Sequence, residues 1–139
     1  MQAQYLAVTR LISQYFDGLY YSDAKLLSEV FHPAAHYVCA SDGSLQHLTM
    51  DAYLPMVSKR PSPASRNQPR TDTIVSLEFA GPVTALAQVE CSIGSKFFTD
   101  FLTLICLNDQ WQIISKVFHY ELRPELPQQD ANQSPQPGA

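Results

Sequence analysis

The run from Phe97 to Tyr120, FFTDFLTLICLNDQWQIISKVFHY, constrains this chain more than any other stretch. Two β-rich segments flank Asn108-Asp109, a pair that tolerates the positive φ of a two-residue hairpin turn. With Leu107 and Gln110 bracketing that turn, the register of the whole hairpin follows. Side chains alternate across a strand, so one face is expected to carry Phe98, Asp100, Leu102, Leu104 and Cys106 with Trp111, Ile113, Ser115, Val117 and His119. The opposite face carries Thr99, Phe101, Thr103, Ile105 and Leu107 with Gln112, Ile114, Lys116, Phe118 and Tyr120. Both faces are largely apolar, so both should be covered. On the first face Asp100 lies diagonally from His119, an acid and an imidazole on an otherwise greasy surface.

Ahead of the hairpin the pattern is helical. Val8, Leu11, Ile12, Tyr15, Phe16 and Leu19 form one stripe within residues 2–21. Ser22-Asp23 breaks the chain and supplies an N-cap for a short helix over residues 24–31, with Leu27, Val30 and Phe31 inside. His32-Pro33 ends it. Residues 35–40 read as a strand, Ser41-Asp42-Gly43-Ser44 as a turn, and residues 45–48 as the returning strand. Thr49 caps a third helix over residues 50–59, with a kink expected at Pro55. Residues 60–71, RPSPASRNQPRT, form a loop. Strand chemistry then takes over in residues 73–80 and 83–93, divided by Gly81-Pro82. Helices grouped ahead of consecutive strands predict an α+β domain. Its expected form is a cone-shaped curved antiparallel sheet with about three N-terminal helices on the concave face, open at a mouth where a small molecule fits. The domain is expected to span residues 1–120, and residues 121–139 to be a Pro/Gln-rich disordered tail with almost nothing to bury.

Composition excludes several classes of function. The net charge is −4 and the pI about 5.4, with the nine Lys and Arg scattered, so no nucleic acid or anionic membrane surface is expected as a partner. Cys39, Cys91 and Cys106 stand singly in apolar segments, without CxxC or Cys/His spacing, which predicts buried reduced thiols in the cytoplasm and no metal site. No signal peptide and no membrane span is expected. Nothing resembles a nucleotide-binding loop, and no cofactor is implied.

The run YFDGLYYSDAKLLSEVFHPAA from Tyr15, the RPSPA segment from Arg60, and TDFLTLICLNDQWQIISKVF from Thr99 together resemble the putative lumazine-binding family. That family belongs to the nuclear transport factor 2-like superfamily, with the ketosteroid isomerases, scytalone dehydratase and polyketide cyclases. The resemblance covers residues 3–120. It implies an α+β cone, often a homodimer through the outer face of the sheet, a role that Phe101, Ile105, Ile114 and Phe118 suit on the expected register. It does not imply lumazine as a ligand, nor one function, since the superfamily hosts enzymes, binders and transport factors on one scaffold. The ketosteroid isomerase base, an Asp on the first strand after the second helix, falls at or near Cys39 here. No acid lies between Ala34 and Ser41, so that role does not carry over. An acid in a late strand recurs in the superfamily, and Asp100 resembles it.

Asp100 with His119 is the leading candidate dyad, able to shuttle a proton or hold a polar ligand group. The alternative is a satisfied structural pair that fixes the end of the hairpin. Tyr15, on the helical stripe, is the candidate donor to a carbonyl oxygen. His32 is a candidate ligand contact or a helix C-terminal cation. Phe98, Leu102 and Trp111 would line the apolar pocket. Lys116 reads as a dimer-rim or solvent contact, and Arg60 and Arg66 as loop residues able to meet an anion at the mouth. Three functions remain open at this point. One is a protein that binds a small apolar or aromatic molecule. Another is a cofactor-independent lyase or isomerase in which Asp100 and His119 move a proton alpha to a carbonyl polarised by Tyr15. The third is a dimerising scaffold with a vestigial pocket.

Overall fold

A computed structural model describes residues 2–125, 127 and 128. The elements run α1 (Gln2–Tyr20), α2 (Ala24–Val30), β1 (Phe31–Cys39), β2 (Gln46–Thr49), α3 (Met50–Lys59), a 3₁₀ turn (Ala64–Arg66), β3 (Thr73–Phe79), β4 (Thr84–Ile93), β5 (Lys96–Leu107) and β6 (Gln110–Leu122). The architecture is α+β, as expected. Six strands form one curved, unclosed sheet in the order β2-β1-β6-β5-β4-β3. Every neighbouring pair among them is antiparallel except β1 beside β6.

The helical stripe of α1 buries Val8, Ile12, Tyr15, Phe16 and Leu19. Gly18 permits the second helix to approach: a Cβ there would sit 2.5 Å from Leu27 Cδ2. Asp23 caps α2, its carboxylate accepting from Leu26 N at 3.0 Å. The helix ends at Val30, and β1 starts at once with Phe31 rather than at residue 35. Pro33 disfavours a helical conformation at His32, so the chain is already extended there. α3 runs unbroken through the exposed Pro55, so the expected kink does not divide it. Thr49 occupies the N-cap position without a side-chain hydrogen bond to the helix.

The hairpin turn is as expected. Asn108 and Asp109 have φ of 51° and 62°, and Leu107 pairs with Gln110. The register, however, holds only for the first few pairs. Leu104 faces Ile113 but Thr103 faces Ser115, so Ile114 is an extra residue in β6. This β-bulge inverts the alternation beyond it. Trp111 and Ile113 point inward before it, and Lys116 and Phe118 point inward after it, while Val117 and His119 are exposed. Several expectations fall with the original register, among them the inward placing of Val117 and His119. Lys116 is not an outward residue, and Phe118 does not belong to the outer face.

The core lies between the helices and the inner face of the sheet, where Ala85, Ala87, Val89 and Cys91 of β4 meet Phe98, Leu102 and Leu104 of β5. β6 continues to Leu122, two residues past the expected boundary. Beyond it, Arg123 N donates to Ser95 O at 2.7 Å and Glu125 pairs with Arg66 at 2.8 Å. The remainder of the tail expected to be disordered lies outside the described residues, apart from residues 127 and 128.

Candidate functional site

Asp100 is completely buried on the inner face of β5, between the inward side chains of Phe98 and Leu102. The Tyr15 hydroxyl donates to Asp100 Oδ2 at 2.6 Å, a short charge-assisted bond that joins α1 to the sheet. Lys116 stands opposite Leu102, one step diagonally from Asp100, because the bulge at Ile114 turned it inward. Its ammonium is 3.9 Å from Asp100 Oδ2, an ion pair longer than a direct hydrogen bond.

Aromatic rings surround that ammonium. Nζ lies 4.8 Å from the ring centre of Phe118, 5.2 Å from Tyr37, 5.3 Å from Tyr15, 5.7 Å from Phe98 and 5.9 Å from Tyr53. These distances fall within cation–π reach. Tyr37 and Tyr53 stack at 4.5 Å, which draws β1 and α3 to the same box. Tyr53 arrives there because Met50, Tyr53 and Val57 share the buried side of α3.

The protonation states follow from burial and from the ion pair. Burial pushes the Tyr15 phenol well up, and Asp100 beside it pushes further, so Tyr15 is a neutral donor. Burial is the strongest single influence on Lys116 and pulls it down, but Asp100, Tyr53, Tyr37 and Cys91 together push the other way and the net displacement is upward. Lys116 is therefore a fixed cation at neutral pH, a donor and electrostatic partner rather than a free amine nucleophile. The Tyr37 phenol is raised by burial, with Lys116 opposing. Burial, with Asp100 adding to it, raises the Cys91 thiol far beyond its usual range, so it is inert as a thiolate.

The polar groups of this box are incompletely satisfied. Asp100 Oδ1, the Tyr53 hydroxyl, and Arg60 Nε and Nη2 are buried without hydrogen-bond partners among the described residues. Buried polar atoms are seldom left so, because each forfeits its hydration for nothing in return. A carboxylate acceptor, a phenol donor and the Lys116 cation in an aromatic enclosure, with the Arg60 charge acting on it from the end of α3, can orient a planar molecule with polar substituents. They can also accept a proton and steady the negative charge left behind.

Of the residues singled out from the sequence, Asp100, Tyr15, Phe98 and Leu102 come together here. His119 does not. It pairs with Thr99 on the exposed side of the ribbon, and its Nδ1 lies 2.8 Å from Ser41 Oγ. The expected Asp100–His119 dyad is absent, since one side chain faces inward and the other outward. His32 is half-buried at the start of β1, where its Nδ1 accepts from Ala34 N at 3.0 Å, a local bond. Trp111 is buried near the hairpin turn, edge-on to Phe79, and borders a recess of about 360 Å³ with Ala7, Pro82 and Asp109. It sits six residue pairs along the ladder from Asp100, roughly 20 Å at strand spacing, and does not share the box. Sequence reasoning missed Lys116, Tyr37 and Tyr53. One signal existed for the first: Trp111 and Ile113 are odd positions, Phe118 and Tyr120 even, and apolar bulk that changes phase within a strand marks a bulge.

Comparison with known proteins agrees with this architecture. The family described as "Putative lumazine-binding" matches residues 3–119. A relative called aldolase FrzH, from Cladobotryum sp, is 24% identical over 119 residues, which cover 84% of this chain and 91% of the relative. An NTF2-like protein from Silicibacter pomeroyi superposes with a TM-score of 0.77 at 24% identity, covering 87% of this chain and 99% of its own. One from Shewanella baltica gives 0.76 at 21% identity, covering 86% and 94%. Likeness at these identities carries the fold. No helix among the described residues is long and apolar enough to cross a membrane.

Proposed function

As the chain belongs to the putative lumazine-binding family, we propose that it binds a small apolar or aromatic molecule between the curved sheet and the helices. The ligand's polar groups meet Asp100, Lys116 and Tyr53. What carries this reading is the unsatisfied polar cluster inside aromatic walls. Asp100 and Lys116 are both buried, an arrangement whose desolvation cost is of the order of several kcal/mol per ion and is not recovered by the ion pair alone. A hydrophobic pair of similar volume would serve the core as well or better. A ligand that completes the hydrogen bonds of Asp100 Oδ1 and the Tyr53 hydroxyl gives the cluster a purpose. The three unpaired thiols support the cytoplasm as its setting.

A fragment screen by saturation-transfer NMR tests this reading, using aromatic and heteroaromatic compounds with one or two polar groups. Binders are expected for the native chain and should be lost in Lys116→Met, provided its circular dichroism is unchanged. A screen without binders, or binders indifferent to that substitution, would overturn it.

Two further readings have observations of their own. An enzymatic one is supported by Asp100, a buried carboxylate with one oxygen bonded by Tyr15 and the other unoccupied, and by the aldolase to which the chain is similar. In that reading Asp100 takes a proton alpha to a carbonyl while Lys116 and Tyr53 hold the enolate oxygen. Tyr15, already donating to Asp100, positions the base instead of polarising the substrate. Solvent deuterium entering an activated ketone in the native chain and not in Asp100→Asn would support it. Dimerisation through the outer face is the other, supported by exposed Phe101 of β5 opposite exposed Val117 of β6, with exposed Leu86 of β4 one diagonal step from Phe101.

A further inference from the structure

Arg60 is the C-cap of α3 and follows Met50, Tyr53 and Val57 at steps of three, four and three residues. That spacing continues the buried side of the helix, and Arg60 is half-buried there. Two of its nitrogens, Nε and Nη2, are buried and without partners among the described residues. Together they form one edge of the guanidinium, with two N–H groups set parallel at the spacing of two carboxylate oxygens. Other arginines close by in sequence are occupied. Arg66 pairs with Glu125 at 2.8 Å, and Arg70 with Asp17 at 2.9 Å and Asp72 at 2.7 Å.

Charge counting points the same way. Two cations act on the box, Lys116 within it and Arg60 from the end of α3, against one carboxylate, Asp100, which the 3.9 Å contact assigns to Lys116. One positive charge is left over, on a half-buried residue whose Nε and Nη2 are shielded from water without gaining a partner among the described residues, which is costly. The Arg60 charge reaches the box, since it opposes the upward displacement of both the Tyr37 phenol and the Cys91 thiol.

We infer that the ligand of the site proposed above carries a carboxylate, gripped side-on by Arg60 Nε and Nη2, with the Tyr53 hydroxyl as a further donor. This rests on the small-molecule reading. A monoanion brings the cluster to neutrality, whereas a phosphate dianion would bring an excess negative charge close to Asp100. The planar fork also fits a planar acceptor.

The test uses isothermal titration calorimetry with benzoate and 2-naphthoate against benzamide and 2-naphthamide, which match them in shape and lack the charge. The full chain is expected to bind the acids about tenfold or more tightly than the amides, the size of a charge-assisted pair. Arg60→Met should abolish that preference. Arg60→Lys, the variant to use if Arg60→Met does not fold, should lose most of it, because an ammonium cannot make the paired bonds. Equal affinity for acid and amide in the native chain, or a preference that survives Arg60→Met, overturns the carboxylate and leaves the pocket standing. Binding of none of the four, together with an empty fragment screen, overturns both.

Discussion

The Tyr15 hydroxyl donates to Asp100 Oδ2 at 2.6 Å, joining two completely buried residues that lie 85 positions apart in the chain. The bond ties the first helix to the fifth strand at the point where Lys116 supplies the counter-charge. Helix, acid and cation therefore form one unit, and disturbing any of them should be felt by the others.

Removing the acid strands the cation. Asp100→Asn is expected to destabilise the chain by about 3–5 kcal/mol, the usual cost of an uncompensated buried charge. Asp100→Asn combined with Lys116→Met should recover most of that loss, because both charges go together. Urea unfolding of the four species at pH 7 measures the coupling. Additive losses would contradict a direct ion pair.

Alkali should loosen the fold. Cys91, Tyr15 and Lys116 all hold their protons more tightly when folded than at their ordinary values of 9.0, 10.0 and 10.5. Their stabilising contribution is complete below those ordinary values. It is lost as pH rises through them toward the raised folded values. The urea midpoint should therefore show no loss from these groups below about pH 9 and fall above it, and Cys91→Ala should delay the onset of the fall toward pH 10. A midpoint that rises through that window would contradict the assignment.

Thiol reactivity should follow burial. Cys106 is half-buried while Cys39 and Cys91 are buried, and all three are free. Native protein treated with Ellman's reagent should release about one equivalent of thionitrobenzoate from Cys106 first, with the other two following only on unfolding. Peptide mapping identifies the site.

The α1–α2 contact depends on a missing methyl group. Gly18→Ala would place Cβ 2.5 Å from Leu27 Cδ2 and 2.7 Å from Cγ. Alanine's helix propensity offers about 1 kcal/mol, but overpacking costs typically 1–3 kcal/mol, so a net loss is expected. Leu27→Val in the same chain should relieve part of it. Thermal unfolding of the single and double variants decides.

The outer face tests the dimer. Phe101 is 52% exposed in the middle of the sheet, beside Val117. Phe101→Glu should leave circular dichroism unchanged and yield a monomer in analytical ultracentrifugation where the native chain sediments as a dimer. A native chain that is already monomeric would remove that reading.

Much of this protein was determined by the sequence alone, wherever the deciding forces are local. The α1 stripe, the Asp23 cap, the extent of α3 and the Asn108-Asp109 turn all rest on propensities and spacings within a few residues. The α+β order and the family likeness are equally linear properties of the chain, and Asp100 and Tyr15 were found from their apolar neighbours. Only the tertiary structure decided the partner of Asp100. A single extra residue at Ile114 exchanges the two faces of β6, putting Lys116 inside and His119 outside. The cost of a bulge is repaid by contacts from elsewhere: Phe118 on Tyr37, Tyr53 stacked on Tyr37, and Asp100 beside the ammonium. Those partners come from β1, α3 and β5, so no window of sequence around Ile114 contains the terms that settle its conformation.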